Sequence, residues 1–337
     1  MRKVRVEEAE GLILCHDLTE MRSGFKRAAF RRGHVITKED IPRMLDIGNQ
    51  HVFIWEENAG EIHEEDAARR LAELLKCQGT HKQGPSEGKI VLVSDISGML
   101  RVNTELLRNL NSIEDITVCT LPDNYPVKPG TRVASMRIVP LVTQESRIIR
   151  AEELCGDRRI LEILPYHELT AGIIITGAEI YSGRIRDMFE PVCRKKLKDY
   201  PGHIADVRIC DDDSDMLKTA AGEMLANGIN FLIFSGGMSV DPDDVTPHAI
   251  HELGCEVITY GVPSQPGNMT LMAYLGEIPV IGVPGAAITM PVTVFDVLLP
   301  RIYSGLKITR EDFISLGDDG LCQQCKVCHY PNCTFGK

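Results

Sequence analysis

Short apolar runs of β-branched and aromatic residues recur along the second half of the chain, and each ends in a tight turn. The three clearest runs and their turns are 172–176 before Gly177, 231–235 before Gly236-Gly237, and 279–283 before Pro284-Gly285. Apolar runs of this length, bounded by glycine, are typical of buried strands. We therefore predict three central strands, each followed directly by a turn.

Amphipathic stretches separate these runs. Residues 185–192 and 216–225 each carry an apolar stripe with helical spacing, and Thr246-Pro247 has the composition of a helix N-cap and first turn. Strands that alternate with such helices predict a mostly parallel sheet covered on both faces, in an α/β domain of three α/β/α layers. The turns would then lie together at one sheet edge, where such sheets bind ligands. Because glycine lets the backbone approach a phosphate closely, we expect a phosphate-bearing ligand.

The first half of the chain has a weaker pattern and predicts smaller α+β segments. Residues 1–78 contain a strand signal at 51–55 and two helix signals at 41–47 and 67–75, and the glycine-containing stretch 79–88 reads as a linker. Strand-like runs follow in a β-rich module at 89–165. Their bounds are 90–94, 116–121, 132–142 and 160–164. We find no catalytic constellation in this module.

Composition and charge narrow the function classes. The 337 residues suffice for two or three domains, and 43% hydrophobic with 25% charged residues is typical of a globular protein. The net charge of −11 argues against nucleic acid as a partner, because phosphate backbones are bound by basic faces. No signal segment or bilayer-length apolar run is present, so we expect a cytoplasmic protein without a membrane partner.

Six short motifs occur in one order in the second half. They are Thr176-Gly-Ala-Glu179, Gly183-Arg-Ile-Arg-Asp187, Asp211-Asp-Asp213, Ser235-Gly-Gly-Met-Ser239-Val-Asp-Pro-Asp-Asp244, Pro266-Gly267 and Gly282-Val-Pro-Gly285. Residues 166–300 thereby resemble the molybdopterin-binding domain of the molybdenum-cofactor proteins. That family includes molybdopterin adenylyltransferases and molybdenum insertases of the MoeA/gephyrin kind. Together with the patterns above, this resemblance gives four predicted segments: 1–78, 89–165, the molybdopterin-binding domain at 166–305, and a cysteine-rich tail at 306–337.

The resemblance also implies roles for individual residues. The cofactor-binding set comprises Thr176, Gly177, Glu179, Gly183, Asp187, Ser235, Gly236, Gly237, Ser239, Pro266, Gly267, Pro284 and Gly285. Within this set, Ser235, Gly236, Gly237 and Ser239 would hold the phosphate of the pterin. Asp212, Asp213 and Asp244 would be catalytic. Carboxylates that hold Mg²⁺ beside amide donors can neutralise the anionic charge of phosphoryl or molybdate transfer.

Three functions are compatible with this resemblance. The first is insertase-like transfer of molybdenum to molybdopterin, although Pro266-Gly-Asn-Met269 lacks the lysine usual in that turn. The second is a CinA-like, Mg²⁺-dependent nucleotide pyrophosphatase, whose sequence is similar around Asp243-Asp244-Val-Thr246. The third is a non-enzymatic sensor or carrier of molybdopterin. In each case the partner is a pterin or nucleotide, and we expect a homo-oligomer, a dimer or a trimer.

Each motif also has a plainer interpretation. The Asp211–Asp213 run could be solvated surface, and Gly236-Gly237 could be only a strand–helix turn. Glu179 and Asp187 could simply favour the positive end of a helix dipole. Their joint order favours the functional interpretation.

The tail carries four of the eleven cysteines. Cys322, Cys325, Cys328 and Cys333 fall within twelve residues, a density typical of metal ligands in a chain with no secretory signal. The spacing is near that of ferredoxins, but the last gap is one residue longer, and four thiolates also suit zinc. We predict an iron–sulfur cluster or Zn²⁺, with an unmetallated tail as the plainer alternative, in a discrete tail that can be removed without unfolding the α/β domain.

Overall fold

The computed structural model describes residues 1–23, 25–54, 58–239, 241 and 244–337, in two compact units. The first unit comprises Met1–Ile96, Val102–Leu121 and Lys128–Glu162. The second comprises Ser97–Arg101, Pro122–Val127 and Ile163–Lys337. The predicted four-segment division stays a prediction. Trp55, at the end of the predicted strand 51–55, lies outside the described residues.

The first 165 residues contain thirteen strands and four α-helices among the described parts of the chain. They are β1 (Arg2–Arg5), β2 (Leu18–Arg22), β3 (Phe25–Phe30), α1 (Asp40–Asp46), β4 (His51–Ile54), β5 (Glu61–His63), α2 (Glu64–Leu75), β6 (Thr80–Ser86), β7 (Lys89–Ser94), β8 (Gly98–Val102), α3 (Thr104–Asn111), β9 (Ile116–Thr120), β10 (Tyr125–Val127), β11 (Arg132–Ile138), β12 (Val142–Gln144), α4 (Glu145–Cys155) and β13 (Leu161–Pro165). In the first unit, β6, β7, β11 and β9 form a four-stranded antiparallel sheet.

Two predictions for the first unit are wrong. The predicted linker 79–88 contains β6, an edge strand whose central residues are exposed. Such a strand has no alternating apolar pattern to reveal it, and its Pro85 is tolerated because edge strands need fewer backbone donors. The predicted run 132–142 is two strands, β11 and β12, which belong to different sheets.

The remainder of the chain continues the α/β alternation. Its elements are β14 (Leu169–Thr176), α5 (Ala178–Tyr181), α6 (Phe189–Leu197), β15 (Gly202–Cys210), α7 (Ser214–Ala226), β16 (Phe231–Ser235), α8 (Thr246–Glu252), β17 (Glu256–Tyr260), β18 (Leu271–Leu275), β19 (Ile278–Val283), α9 (Ala286–Thr289), α10 (Val294–Tyr303) and α11 (Arg310–Ile314). One six-stranded sheet has the order β15-β14-β16-β19-β18-β17. The first four strands are parallel neighbours, and β18 and β17 complete the sheet in antiparallel pairing. The α/β prediction is confirmed, with a mixed, mostly parallel sheet.

Successive residues of the central strands enter different cores, because side chains alternate across a strand. Ile173 and Ile233 pack on one face with α6 and α10, and Ile174 and Leu232 pack on the other with α7 and α8. The sheet therefore lies between two helical layers. Both faces of its central strands are buried, which is why these strands read as continuous apolar runs in the sequence.

The tail is not the discrete appendage that the sequence predicts. Phe335 is 2% exposed and belongs to the core on the α6 and α10 face, and Tyr330 and Cys322 pack against that core. The amide of Gly336 donates to the carbonyl of Asp319 at 3.2 Å. The prediction that the tail can be removed without unfolding the domain stays a prediction, and the buried Phe335 argues against it, because removal would expose part of the core.

Candidate functional site

Four turns meet at the carboxyl edge of the parallel strands. Pairing aligns Thr176 with Cys210, and Ser235 with both Ile175 and Val283, so β15, β14, β16 and β19 end side by side. The segments that follow these ends are 211–213, 177–179, 236–239 and 284–285. Sequence analysis predicts the three turns after β14, β16 and β19, but not the strand β15 that precedes 211–213. The structure thus brings most of the predicted site residues to one edge.

The double-glycine turn after β16 requires glycine for the fold itself. Gly236 has φ +85°, and a Cβ built there would lie 2.0 Å from the carbonyl oxygen of Thr176. A Cβ on Gly237, at φ +55°, would lie 2.7 Å from Oγ1 of Thr246. Substitution of Gly236 would therefore strain the turn before any ligand arrived.

Ser235 carries an unpartnered hydroxyl at the base of this turn. Its side chain is completely buried, and its Oγ has no hydrogen-bond partner among the described residues. Buried hydroxyl groups almost always have a partner, and leaving one unpaired costs about 1–3 kcal/mol. An unpartnered donor at the base of such a turn is a feature expected where a ligand completes the hydrogen bonding.

Asp212 connects two of the turns. Its Oδ1 accepts a hydrogen bond from Oγ1 of Thr176 at 3.0 Å, and its Oδ2 accepts one from the amide of Ala178 at 2.8 Å. Thr176 also donates to the carbonyl of Asp211 at 3.1 Å. Both oxygens of Asp212 are therefore used to fix the turn after β14 against the end of β15.

Two other predicted site carboxylates cap helices. Oδ1 of Asp213 accepts from the amide of Met216 at 2.9 Å and caps α7. Asp187 accepts from the amides of Phe189 and Glu190 at 2.8 and 2.9 Å, at the start of α6. Helix N-termini leave such amides unpaired, so both carboxylates have a structural role here. The sequence motifs alone do not distinguish this role from a functional one.

Asp244 and Glu179 have fewer structural partners. Oδ2 of Asp244 accepts from the amide of Asp241 at 3.1 Å, and Glu179 is exposed. Gly183 is also exposed, in the connection between α5 and α6, with φ +73°. Val240, Pro242 and Asp243 of the motif before Asp244 lie outside the described residues.

The two Pro-Gly turns differ in what they require. A Cβ on Gly267, at φ +111°, would lie 3.0 Å from the amide nitrogen of Val294, so this turn packs closely against α10. Gly285 has an ordinary helical φ of −54° and open space around its Cα. The protein itself therefore does not require glycine at 285.

Tyr260 is a site residue that the sequence analysis missed. Its hydroxyl contacts the carbonyls of Met238 and Ser239 at 3.0 and 2.9 Å and so holds the end of the double-glycine turn. Burial, followed by the negative charge of Asp244, raises the pKa of Tyr260, which keeps this donor protonated. No sequence motif marks Tyr260, because it lies on β17, the edge strand at the opposite end of the sheet from β15.

Cys322, Cys325, Cys328 and Cys333 line one pocket of about 220 Å³. Over the described part of the chain, no three His, Cys, Asp or Glu side chains are arranged to hold a metal ion. Among the same residues, no helix has the length and apolar character needed to cross a membrane.

Turns that converge at the carboxyl edge of a sheet are where α/β proteins commonly bind their ligands. Residues 172–304 match the family described as "Probable molybdopterin binding domain", and residues 3–56 match a domain of unknown function, DUF8806. This part of the chain thus matches the molybdopterin-binding domain family, and it is similar in sequence to a molybdopterin molybdenumtransferase and to CinA-like proteins.

Individual relatives match parts of the chain. A molybdopterin molybdenumtransferase of Synechococcus elongatus is 26% identical over 151 residues, which cover 42% of this chain and 38% of the relative. A CinA-like protein of Mycobacterium leprae is 31% identical over 80 residues, 24% of this chain and 19% of the relative. The tungsten cofactor synthesizing protein MoaB from Pyrococcus furiosus aligns with a TM-score of 0.35 and 16% identity, over 43% of this chain and 98% of that one. This chain therefore spans well under two thirds of the curated relatives.

Proposed function

We propose that the second unit binds molybdopterin, or its nucleotide-linked or molybdenum-loaded form, through the phosphate at the Ser235–Ser239 turn. The unpartnered, fully buried Oγ of Ser235 is the observation that carries this proposal. A phosphate oxygen is an acceptor that would satisfy it. Gly236 and Gly237 have positive φ values and carry no side chain, so the backbone amides of this turn can approach the same anion.

The neighbouring turns would complete the pocket. Asp212 holds Thr176 and Ala178 in place, and the turns at Pro266-Gly267 and Pro284-Gly285 would close over the pterin. The open space at Gly285 supports a close approach by ligand there. Asp244 is the carboxylate we assign to Mg²⁺, because both oxygens of Asp212 accept hydrogen bonds and Asp213 caps α7, while among the described residues Asp244 accepts through Oδ2 from the amide of Asp241. Mg²⁺ would offset charge in a site that lacks the family's usual lysine.

The activity we propose is molybdenum transfer of the molybdopterin molybdenumtransferase kind, in a cytoplasmic homo-oligomer. The relative from Synechococcus elongatus bears that name and aligns with 42% of this chain. The chain's own residues would bind the phosphate, orient the pterin and hold Mg²⁺. Asp187 and Gly183 would act only by positioning α6 and its preceding loop, since Asp187 bonds to helix amides. We also infer that the tail binds a metal.

A pair of serine substitutions tests the phosphate assignment. Ser235→Ala removes an unpaired hydroxyl, so we expect unchanged or higher thermal stability, with affinity for molybdopterin lowered at least about tenfold in anaerobic calorimetry. Ser304→Ala is the matched control, since Ser304 is buried and its Oγ donates to the carbonyl of Arg301 at 2.8 Å. That control should lose stability and keep its affinity. Equal affinity of Ser235→Ala and wild type would overturn the assignment.

A second candidate is the CinA-like nucleotide pyrophosphatase, which the similarity to mycobacterial CinA-like proteins favours. Mg²⁺-dependent hydrolysis of ADP-ribose that is lost in Asp244→Asn, with no response to molybdate, would support it. Tight pterin binding without either turnover would instead support a sensor or carrier. Molybdate-dependent conversion of bound molybdopterin would support the transferase.

A further inference from the structure

We propose that residues 316–322, which we call the strap, position the Pro266-Gly267 turn of the ligand site and thereby set its affinity for the pterin. The match to the molybdopterin-binding family ends at residue 304, so the strap lies outside the matched domain. The effect on affinity rests on the proposed function. The contact between the strap and the turn lies within the protein and does not depend on which ligand binds.

Strand register brings the connection between β17 and β18 to the edge of the sheet where the other site turns lie. Leu271 begins β18 and pairs with Gly282, one residue before β19 ends. Because β18 is antiparallel to β19, the residues that precede Leu271 lie beyond the carboxyl end of β19, where β16 also ends. The connection 261–270 therefore places its Pro266-Gly267 turn at the proposed ligand site.

The strap holds this connection by hydrogen bonds on one side. The carbonyl of Gly320 accepts from the amide of Gln265 at 2.7 Å and from the buried Oγ of Ser264 at 3.0 Å. The amide of Cys322 donates to the carbonyl of Gln265 at 2.8 Å, and Gln265 and Leu321 form a parallel bridge. Both main-chain hydrogen-bonding groups of Gln265, the residue directly before the Pro-Gly turn, are therefore bonded to the strap.

The start of α10 forms the other side of the turn. A Cβ on Gly267 would lie 3.0 Å from the amide nitrogen of Val294 and 3.3 Å from Cβ of Thr293. Thr293 is fully buried and forms a capping box with Asp296, so this side is fixed by the helix. The turn thus lies between α10 and the strap. Without the bonds of the strap, it would be held on the α10 side and could move away from it.

Gly320 allows the strap to approach this closely. A Cβ there would lie 2.6 Å from the carbonyl oxygen of Pro263 and 2.4 Å from that of Leu316. Both are backbone atoms, which cannot rotate away as a side chain could. The amide of Gly320 donates to the same carbonyl of Leu316 at 2.7 Å, and Leu316 is a core residue 1% exposed. The strap is therefore anchored in the core at this end, and a side chain at position 320 would push it away from the connection.

Two substitutions in the full chain test the strap. Gly320→Ala introduces the clash, and Ser264→Ala removes one bond to the strap without adding an atom. In the ligand-free protein, we expect hydrogen exchange of residues 261–270 to accelerate in both variants, while exchange of α7 stays that of wild type. In anaerobic calorimetry, affinity for molybdopterin should fall about tenfold in Gly320→Ala and about fivefold in Ser264→Ala.

Each variant has a matched control. Gly317→Ala adds the same methyl group three residues earlier, where nothing lies within 4 Å of a Cβ. Ser304→Ala removes the same kind of bond as Ser264→Ala, since the buried Ser304 donates to the carbonyl of Arg301 at 2.8 Å. Ser264→Ala and Ser304→Ala should lower Tm by a similar amount, about 2–4 °C. Both controls should keep the affinity and the exchange of residues 261–270 that wild type shows.

Three results would overturn the proposal. One is unchanged exchange of residues 261–270 in both Gly320→Ala and Ser264→Ala. Another is faster exchange with unchanged affinity, because the turn would then be held by the strap without serving the ligand. The third is an equal loss of affinity in Ser304→Ala, because the effect would then be general destabilisation. Failure of the proposed function looks different: wild type would bind no molybdopterin, and the exchange result alone would decide whether the strap holds the turn.

Discussion

At the scale of single residues, the acidic motif of the site divides by hydrogen bonding. Asp212 fixes the turn after β14 and Asp213 caps α7, whereas among the described residues Oδ2 of Asp244 accepts from the amide of Asp241 in its own loop. Residue type and spacing alone do not make this division, because each aspartate could accept from amides or from a metal. The catalytic role of Asp244 stays a prediction, and we propose it as the carboxylate that is available to bind a metal.

Asp213 gives a direct test of this division. Asp213→Ala removes the cap of α7 and should lower the free energy of unfolding by about 1 kcal/mol, as measured by urea titration. Asp213→Ser should restore most of the stability, because serine is also a good N-cap. Both variants should bind molybdopterin normally. A serine variant that is stable but inactive would show instead that the carboxylate is catalytic.

Two histidines should make the first unit sensitive to acid. Burial lowers the pKa of both His16 and His63, and Nε2 of His63 lies 2.6 Å from the carbonyl of Cys15. The unfolded chain binds protons on these rings near its ordinary pKa of about 6.5, whereas the native state resists protonation. Their contribution to stability is therefore fully present above that pH and is lost as the pH falls below it.

We expect hydrogen exchange of first-unit amides to accelerate between about pH 6.5 and pH 5, after correction for intrinsic rates. His63→Gln should weaken this pH dependence. His203→Gln, at an exposed position of β15, should leave it unchanged. If His63→Gln keeps the full pH dependence, His63 is not a cause of the acid sensitivity of the first unit.

At the scale of secondary-structure elements, the edge strand β17 positions the phosphate turn through Tyr260. Tyr260→Phe removes the donor to the carbonyls of Met238 and Ser239, so the turn would be held less firmly. We expect affinity for molybdopterin to fall about five- to tenfold, near 1 kcal/mol, with little change in Tm because Tyr260 is 41% exposed.

Tyr274→Phe is the control for Tyr260→Phe, and we expect the opposite result from it. Its hydroxyl accepts from the buried amide of Ile308 at 2.8 Å. Its removal should lower stability and leave affinity unchanged. If both tyrosine variants reduce affinity equally, the effect of Tyr260 is general destabilisation and not positioning of the turn.

Elements of the second unit were the most predictable from sequence. Strands β14, β16 and β19 are buried on both faces, and helix α7 ends close to Gly228, so their patterns are strong. Helices α3 and α4 were not predicted, although Asn103 caps α3 through the amide of Leu106. Short helices with few buried positions carry a weak periodic signal, and tertiary packing decides them.

At the scale of the whole molecule, the tail contributes to the stability of the second unit. Phe335→Ala should lower the free energy of unfolding by about 3 kcal/mol, because a fully buried phenyl ring leaves a cavity. Val327→Ala, at a side chain 68% exposed, should change it by less than about 0.5 kcal/mol. Thermal unfolding of the metal-free protein measures both. Equal Tm values for Phe335→Ala and wild type would contradict the stabilising role of Phe335 and support the discrete tail that the sequence predicts.

The sequence by itself determined the elements that are fully buried and that are bounded by glycine turns. It predicted the central strands, the glycine turns after them and the cluster of four cysteines. The pattern of apolar residues, the positions of glycine and the spacing of cysteines are all local properties of the chain. Tertiary structure alone decided which aspartate caps a helix, that Tyr260 reaches Ser239, and that Phe335 enters the core. Each of these depends on residues far apart in sequence, whose contact is set by the packing of the sheet and its helices.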